Sequence, residues 1–215
     1  MGGYENRPFT LSERVLTQSR VLWDYIGSFL LPNGPRLGLF HDDYALSSGL
    51  LSPPETLAAI LAWGVLLLVA WQFRQRIPGL IVGLGIYLVG HALESTILPL
   101  LIYFQHRNYL PAIGLAWAIA SVLAHVANAL RAKLDNPKLV YSFASLAIVG
   151  VLAAATWARA GVWSSHEAIL TQGLVEHPDS KWARMDAIRF EMMQRPTDYA
   201  AARAQIEALL ESKDP

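Results

Sequence analysis

The chain contains no cysteine. That absence excludes disulfides, thiolate catalysis and cysteine-ligated metals, although a chain without thiols suits either redox compartment. Charge is also scarce. Only 16% of the 215 residues are charged, and 17 basic against 17 acidic residues leave no net charge. Bulk electrostatics therefore favours neither nucleic acid nor an anionic surface, and no nucleic-acid partner is expected. There is no glycine-rich phosphate loop, no metal-spaced histidine cluster and no serine nucleophile elbow, and no cofactor is evident. The opening MGGYENRPFT lacks a basic start followed by an apolar core, so a signal peptide is not expected. Its passage straight into a polar segment raises the expectation that these residues form the later part of a longer protein.

What the sequence has in abundance is hydrocarbon. With 53% hydrophobic residues and a mean hydropathy of +0.32, it reads as an all-α polytopic membrane helix bundle of about four spans, with the lipid bilayer as its first partner. Leu57 to Phe73 makes one span, stopped by Arg74 and Arg76. A second run starts at Ile77 and is too long for one upright helix, which predicts a break near Glu94 or Pro99. Beyond it the chain either re-enters the membrane or lies along the surface. Ala112 to Leu130 and Leu139 to Trp157 complete the bundle, which occupies residues 57–160. Arg74 and Arg76 in one short loop, and Arg131, Lys133 and Lys138 in another, mark the cytoplasmic side. The expected protein is thus multi-pass in a bacterial inner membrane, with both termini periplasmic. Trp71, Trp157 and Trp163 read as interface anchors.

Before the bundle, residues 1–56 hold no spanning run. Leu11, Val15, Leu22, Ile26, Phe29 and Leu30 recur at helical spacing between Glu13, Arg14, Gln18, Arg20 and Asp24, which predicts an amphipathic helix from Thr10 to Leu31. It lies in the membrane interface or packs on a soluble domain. An irregular loop carrying His41, Asp42 and Asp43 follows. After the bundle, residues 161–215 turn polar and helical. Ser180–Gln194 and Thr197–Ser212 predict a helical hairpin, with Ala183, Ala187, Phe190 and Met193 on one apolar face. Such a pair is the unit of a tetratricopeptide array, and one pair must lean on something else to be stable.

The stretch Glu94 to Pro111 carries a glutamate, a proline, a histidine, an arginine and an asparagine beside two apolar runs. Polar groups at that depth normally face a protein interior, a cavity or the aqueous boundary. The wording of several segments is similar to a known group: ERVLTQSRVLWDYI, RLGLFHDDYALSSGLLSPP, ESTILPLLIYFQHRNYLPAIG and EHPDSKWARMDA resemble, in order, the later half of the transmembrane and tetratricopeptide-repeat O-mannosyltransferases. These belong to the C superfamily of membrane glycosyltransferases. The most specific element is Gln105 to Pro111, which looks like that family's E-H-R-N-Y-L-P with glutamine leading. The resemblance implies sugar transfer from a polyprenyl-phosphate carrier on the outer face. The family's acidic catalytic loop has no counterpart in these residues.

Candidate chemistry follows from residue type. His106, Arg107, Asn108 and Tyr109 are candidates for binding a carrier phosphate, since arginine offers a bidentate fork and histidine a further donor. The alternative is an interface anchor whose arginine meets lipid phosphate. His41, Asp42 and Asp43 suit a divalent cation or acid-base work in the complete enzyme, or are turn-forming residues of a solvated loop. His91 and Glu94, one helical turn apart, form either an intramembrane functional pair or a structural ion pair. His125 and Asn128 share a face of the third span and read as polar glue between helices, beside the small residues Ala116, Ala120, Ala124 and Ala127. A membrane adaptor whose tail recruits a periplasmic protein is the non-enzymatic alternative.

Overall fold

The computed structural model describes residues 4–5, 7–32, 37–92, 95, 98, 100–134, 136–194, 203–204 and 206–208. Every regular element among them is helical. The chain divides into two compact units, one of Met1–Leu31 with Ala45–Ala153 and the other of Pro32–Tyr44 with Ala154–Pro215.

In the first unit, helix α1 (Leu11–Leu30) opens at a capping box: Glu13 N donates to Thr10 Oγ1 at 3.3 Å and Thr10 N donates to Glu13 Oε2 at 2.8 Å. Helices α2 (Glu55–Gln72), α3 (Pro78–Ala92) and α4 (Tyr109–Leu130) follow, with a 3-10 turn at Gln105–Asn108 before α4. Helix α5 (Pro137–Val162) comes next and continues into the second unit. Three segments, Glu55–Gln72, Gln105–Leu130 and Pro137–Val162, are long and apolar enough to cross a membrane. Helix α3 is apolar but has only 15 residues, about 22 Å of rise against a hydrocarbon thickness of ~30 Å. The long second run therefore resolves into a short helix ending at Ala92, and the expected break points, Glu94 and Pro99, lie outside the described residues.

Helices α3 and α4 pack antiparallel through small residues. A Cβ on Gly83 would lie 2.4 Å from the Gly114 carbonyl oxygen, and one on Gly114 would lie 2.6 Å from that of Gly83. Backbones this close leave no room for any side chain. Because Gly79 meets Ser121 while Gly90 meets Pro111, the α2–α3 loop with Arg74 and Arg76 flanks the same end of the pair as Arg131 and Lys133. The remaining core is aromatic and aliphatic. Ile26, Trp63, Tyr87 and Leu115 are buried together, with Leu22, Trp23, Leu66, Leu88 and Ile119 packed around them.

Helix α1 is a member of this unit, and its orientation departs from the expected one. Arg14, Thr17, Gln18, Val21, Tyr25, Ile26 and Ser28 are buried, whereas Leu11, Val15, Phe29 and Leu30 are exposed. The polar row faces inward because it has partners there, as described below. Helix α5 buries none of its residues; its Tyr141 hydroxyl donates to the Ala127 carbonyl at 2.5 Å.

In the second unit, α6 (His166–Glu176) and α7 (Lys181–Gln194) form the hairpin. Ser165 caps α6, accepting from Ala168 N at 3.1 Å. Phe40, Leu170 and Ala183 form the core, flanked by Ile169, Leu174 and Phe190. Helix α7 matches the expected first tail helix, but its partner is α6, which the tail pattern had not marked out. Most of the expected Thr197–Ser212 helix lies outside the described residues. Ala183 and Phe190 do face the core, while Met193 is 78% exposed.

Gly83→Val should destabilise the protein by roughly 2–4 kcal/mol, since the clash is with backbone and cannot be relieved by a side-chain rotation. Gly85→Ala, where a Cβ meets nothing within 4 Å, should change thermal unfolding in detergent little or raise the midpoint slightly.

Candidate functional site

Residues 100–104 are irregular backbone between two apolar helices, bent at Ile102 and extended at Phe104. Each of their carbonyl and amide groups needs a partner, and no neighbouring strand supplies one among the described residues. Helix α1 does so with side chains. Arg14 donates through Nη1 to the Leu100 carbonyl. Gln18 donates through Nε2 to Ile102 O at 2.6 Å. The Tyr25 hydroxyl donates to Phe104 O at 3.0 Å and accepts from Phe104 N at 2.9 Å. Positions 14, 18 and 25 lie on one helical stripe, so three side chains meet alternate residues of the strap. The same helix holds a second irregular piece, with Ser47 N donating to Thr17 Oγ1 at 2.8 Å and Arg20 Nη1 to Ala45 O at 2.9 Å.

The strap leads into the Gln105–Asn108 turn, where the phosphate candidates diverge. Asn108 turns inward: its Oδ1 lies 3.3 Å from His91 Nε2, and its Nδ2 donates to Tyr25 O at 3.5 Å. His91 itself is buried, stacked on Tyr25 at 5.3 Å and edge-on to Tyr87 at 4.9 Å. Its sequence-expected partner Glu94 lies outside the described residues. Arg107 folds back, donating through Nη1 to Leu101 O at 2.6 Å. Phe104 stands beside both side chains, with the His106 ring 4.5 Å from its centroid and the Arg107 guanidinium 5.6 Å away. His106 is exposed, and Tyr109 is 79% exposed. The turn therefore offers His106 and Tyr109 outward, keeps Arg107 at the strap and gives Asn108 to the core.

Sequence reasoning missed Arg14 as part of this cluster. Burial holds its pKa below the ordinary arginine value, the neighbouring Tyr4 opposes that, and the charges of Arg107 and Arg7 add to the lowering. Three guanidiniums are thus near enough to feel one another. The 14–18–25 spacing was the available signal.

The loop candidates sit in the second unit and hold its hairpin. Asp42 accepts from the Ser180 hydroxyl at 2.5 Å and from Trp182 N at 3.1 Å. Helix α7 has no acidic residue in its first turn, and Asp42 supplies that charge from a distant segment. Asp43 meets His177 Nδ1, with both oxygens at 3.0 Å. His41 packs edge-on against His177 at 4.8 Å. Asp42 and Asp43 are the central residues of a turn closed by Tyr44 N donating to His41 O at 3.4 Å, as expected of turn formers, and within it the two carboxylates serve different partners. Among the described residues no group of three or more His, Asp or Glu side chains is placed to hold a metal ion. At the end of α5, Arg159 donates to Leu37 O at 2.5 Å and lies 3.9 Å from Glu176.

These features define a helical protein with three membrane-crossing candidates and a polar strap. Comparison with known proteins adds no relative: no family model, curated protein or solved structure matches the chain.

Tyr25→Phe removes a hydroxyl that satisfies two buried backbone groups and should cost about 1–3 kcal/mol, read as a lower thermal midpoint. The second prediction concerns pH. Burial, reinforced by the positive charge His177 can carry and by Arg159, pushes the His41 pKa down from 6.5 to about 4 against the opposing Gly38 backbone and Asp42. The unfolded chain takes up a proton near pH 6.5 that the folded one refuses until about pH 4. Stability of the second unit is full above pH 6.5 and falls between those limits. Amide protection of α6 and α7, corrected for intrinsic exchange, should decline across this range, and His41→Gln should flatten that decline.

Proposed function

We propose that this protein binds the phosphate of a lipid-linked sugar at the strap, acting in polyprenyl-phosphosugar-dependent glycosyl transfer. The carrying observation is the pinned turn at residues 104–108, which presents His106 and Arg107 around one aromatic ring beside Arg14. A phosphate is matched by the donors gathered there, the guanidinium fork of arginine and an imidazole N–H. The similarity of the Gln105–Pro111 element to the O-mannosyltransferases supports the same assignment. In this reading α3 serves as a fourth, short crossing, the strap and tail lie on the periplasmic side, and the hairpin acts as a tetratricopeptide-like module. The role assigned to these residues is capture of the carrier, and the bond-making carboxylate is supplied by the acidic loop of the complete enzyme.

A second reading, a membrane adaptor, draws on the hairpin, where Val175 is 74% and Met193 78% exposed. Apolar side chains left outward on a small helical pair suit a periplasmic protein partner.

The test is binding of polyprenyl phosphate to the protein in nanodiscs. The double substitution His106→Ala with Arg107→Ala should weaken affinity about tenfold or more, corresponding to loss of two charge-assisted contacts. An unchanged affinity sinks the carrier reading. Retained sugar transfer by that variant, together with loss of partner binding on removal of residues 178–215, would establish the adaptor instead.

A further inference from the structure

The opposite end of the α3–α4 pair holds a site that the strap does not involve. Where α3 begins, Gly79 sits against Ser121, and the two helices open into a cavity of about 500 Å³. Its walls are of two kinds. Val82 and Trp117 give an apolar side, while Arg76, Ser121, His125 and Asn128 give a polar one.

The polar side is chemically uncommitted. The two arginines of the α2–α3 loop differ sharply: Arg74 donates to Trp71 O at 2.9 Å and lies 4.3 Å over the Trp71 ring, whereas Arg76 makes no side-chain hydrogen bond or ion pair among the described residues. His125 and Asn128 likewise bond to nothing there, so the expected polar glue between helices is not what they form. Ser121 donates to Trp117 O at 2.8 Å and keeps its acceptor lone pairs.

The surroundings select the ligand. Arg131 and Lys133 follow α4 at this same end, and Lys138 opens α5 directly afterwards. With Arg74 and Arg76 they make a basic collar at the mouth of an apolar pair that includes a membrane-crossing candidate. A ligand that satisfies all of this carries a negative phosphodiester for Arg76, hydrogen-bonding groups for His125 and Asn128, and hydrocarbon to run along Val82 and Trp117. Basic pockets between helices at a membrane boundary hold anionic lipid headgroups for the same reasons. We infer that this cavity binds an anionic glycerophospholipid, with Arg76 on the phosphate. Free phosphate offers nothing to the apolar wall, and a zwitterionic lipid brings its own cation to a basic collar.

Purified protein in detergent would be titrated with phosphatidylglycerol, phosphatidylcholine or inorganic phosphate, following retained lipid by native mass spectrometry and the thermal midpoint. Phosphatidylglycerol should be retained and raise the midpoint. Phosphatidylcholine and phosphate should do neither. Arg76→Glu should weaken phosphatidylglycerol retention about tenfold. If Arg76→Glu does not fold, His125→Leu combined with Asn128→Leu should produce the same selective loss. Equal retention of both lipids, a midpoint shift with phosphate alone, or full retention by the variants that fold overturns the assignment. Loss of polyprenyl phosphate binding at the strap bears on none of these outcomes, since the two sites lie at opposite ends of α3.

Discussion

Backbone that is neither helix nor sheet must find hydrogen-bond partners wherever water is scarce, and the architecture of the first unit depends on how that demand is met. Residues 100–104 run irregularly beside apolar helices, and α1 turns its arginine, glutamine and tyrosine inward to serve them. An amide left unpaired in such a place costs several kcal/mol, more than the exposure of a leucine or valine costs. That inequality explains why α1 buries Arg14 and Gln18 and leaves Leu11 and Val15 outside. The 3-10 turn and the first turn of α4 inherit their positions from the strap, so the placement of His106 and Arg107 traces back to the polar row of a helix 79 to 86 positions earlier.

The second unit solves a similar problem with charge. A short hairpin with a three-residue core and no acidic residue at the start of α7 has little to hold it. Asp42 and Asp43 reach it from the loop at 37–44, one capping α7 and the other fixing His177. Adjacent carboxylates that form a turn also fasten the hairpin. The half-buried His41 beside them, whose pKa lies below the ordinary histidine value, makes the fastening sensitive to acid.

Close approach sets the third feature. Gly83 and Gly114 let the backbones of α3 and α4 touch, which fixes the antiparallel register. That register in turn places the basic loops at one end and the strap at the other. The two binding surfaces proposed above, one for a carrier phosphate and one for a phospholipid headgroup, are therefore separated by the length of one short helix.

Much of this was legible in the residues alone. Apolar runs located α2, α4 and α5, because a span is set by length and hydropathy without reference to neighbours. The Thr10–Glu13 capping box and the Ser180 start of α7 are equally local. The direction in which α1 faces, the pairing of α6 with α7, and the partners of Asp42, Asp43, His91 and Asn108 were decided only by tertiary structure. Each depends on a group on another element. A sequence shows what a side chain can bond to, but which distant carbonyl, hydroxyl or imidazole arrives to meet it is fixed when the helices pack.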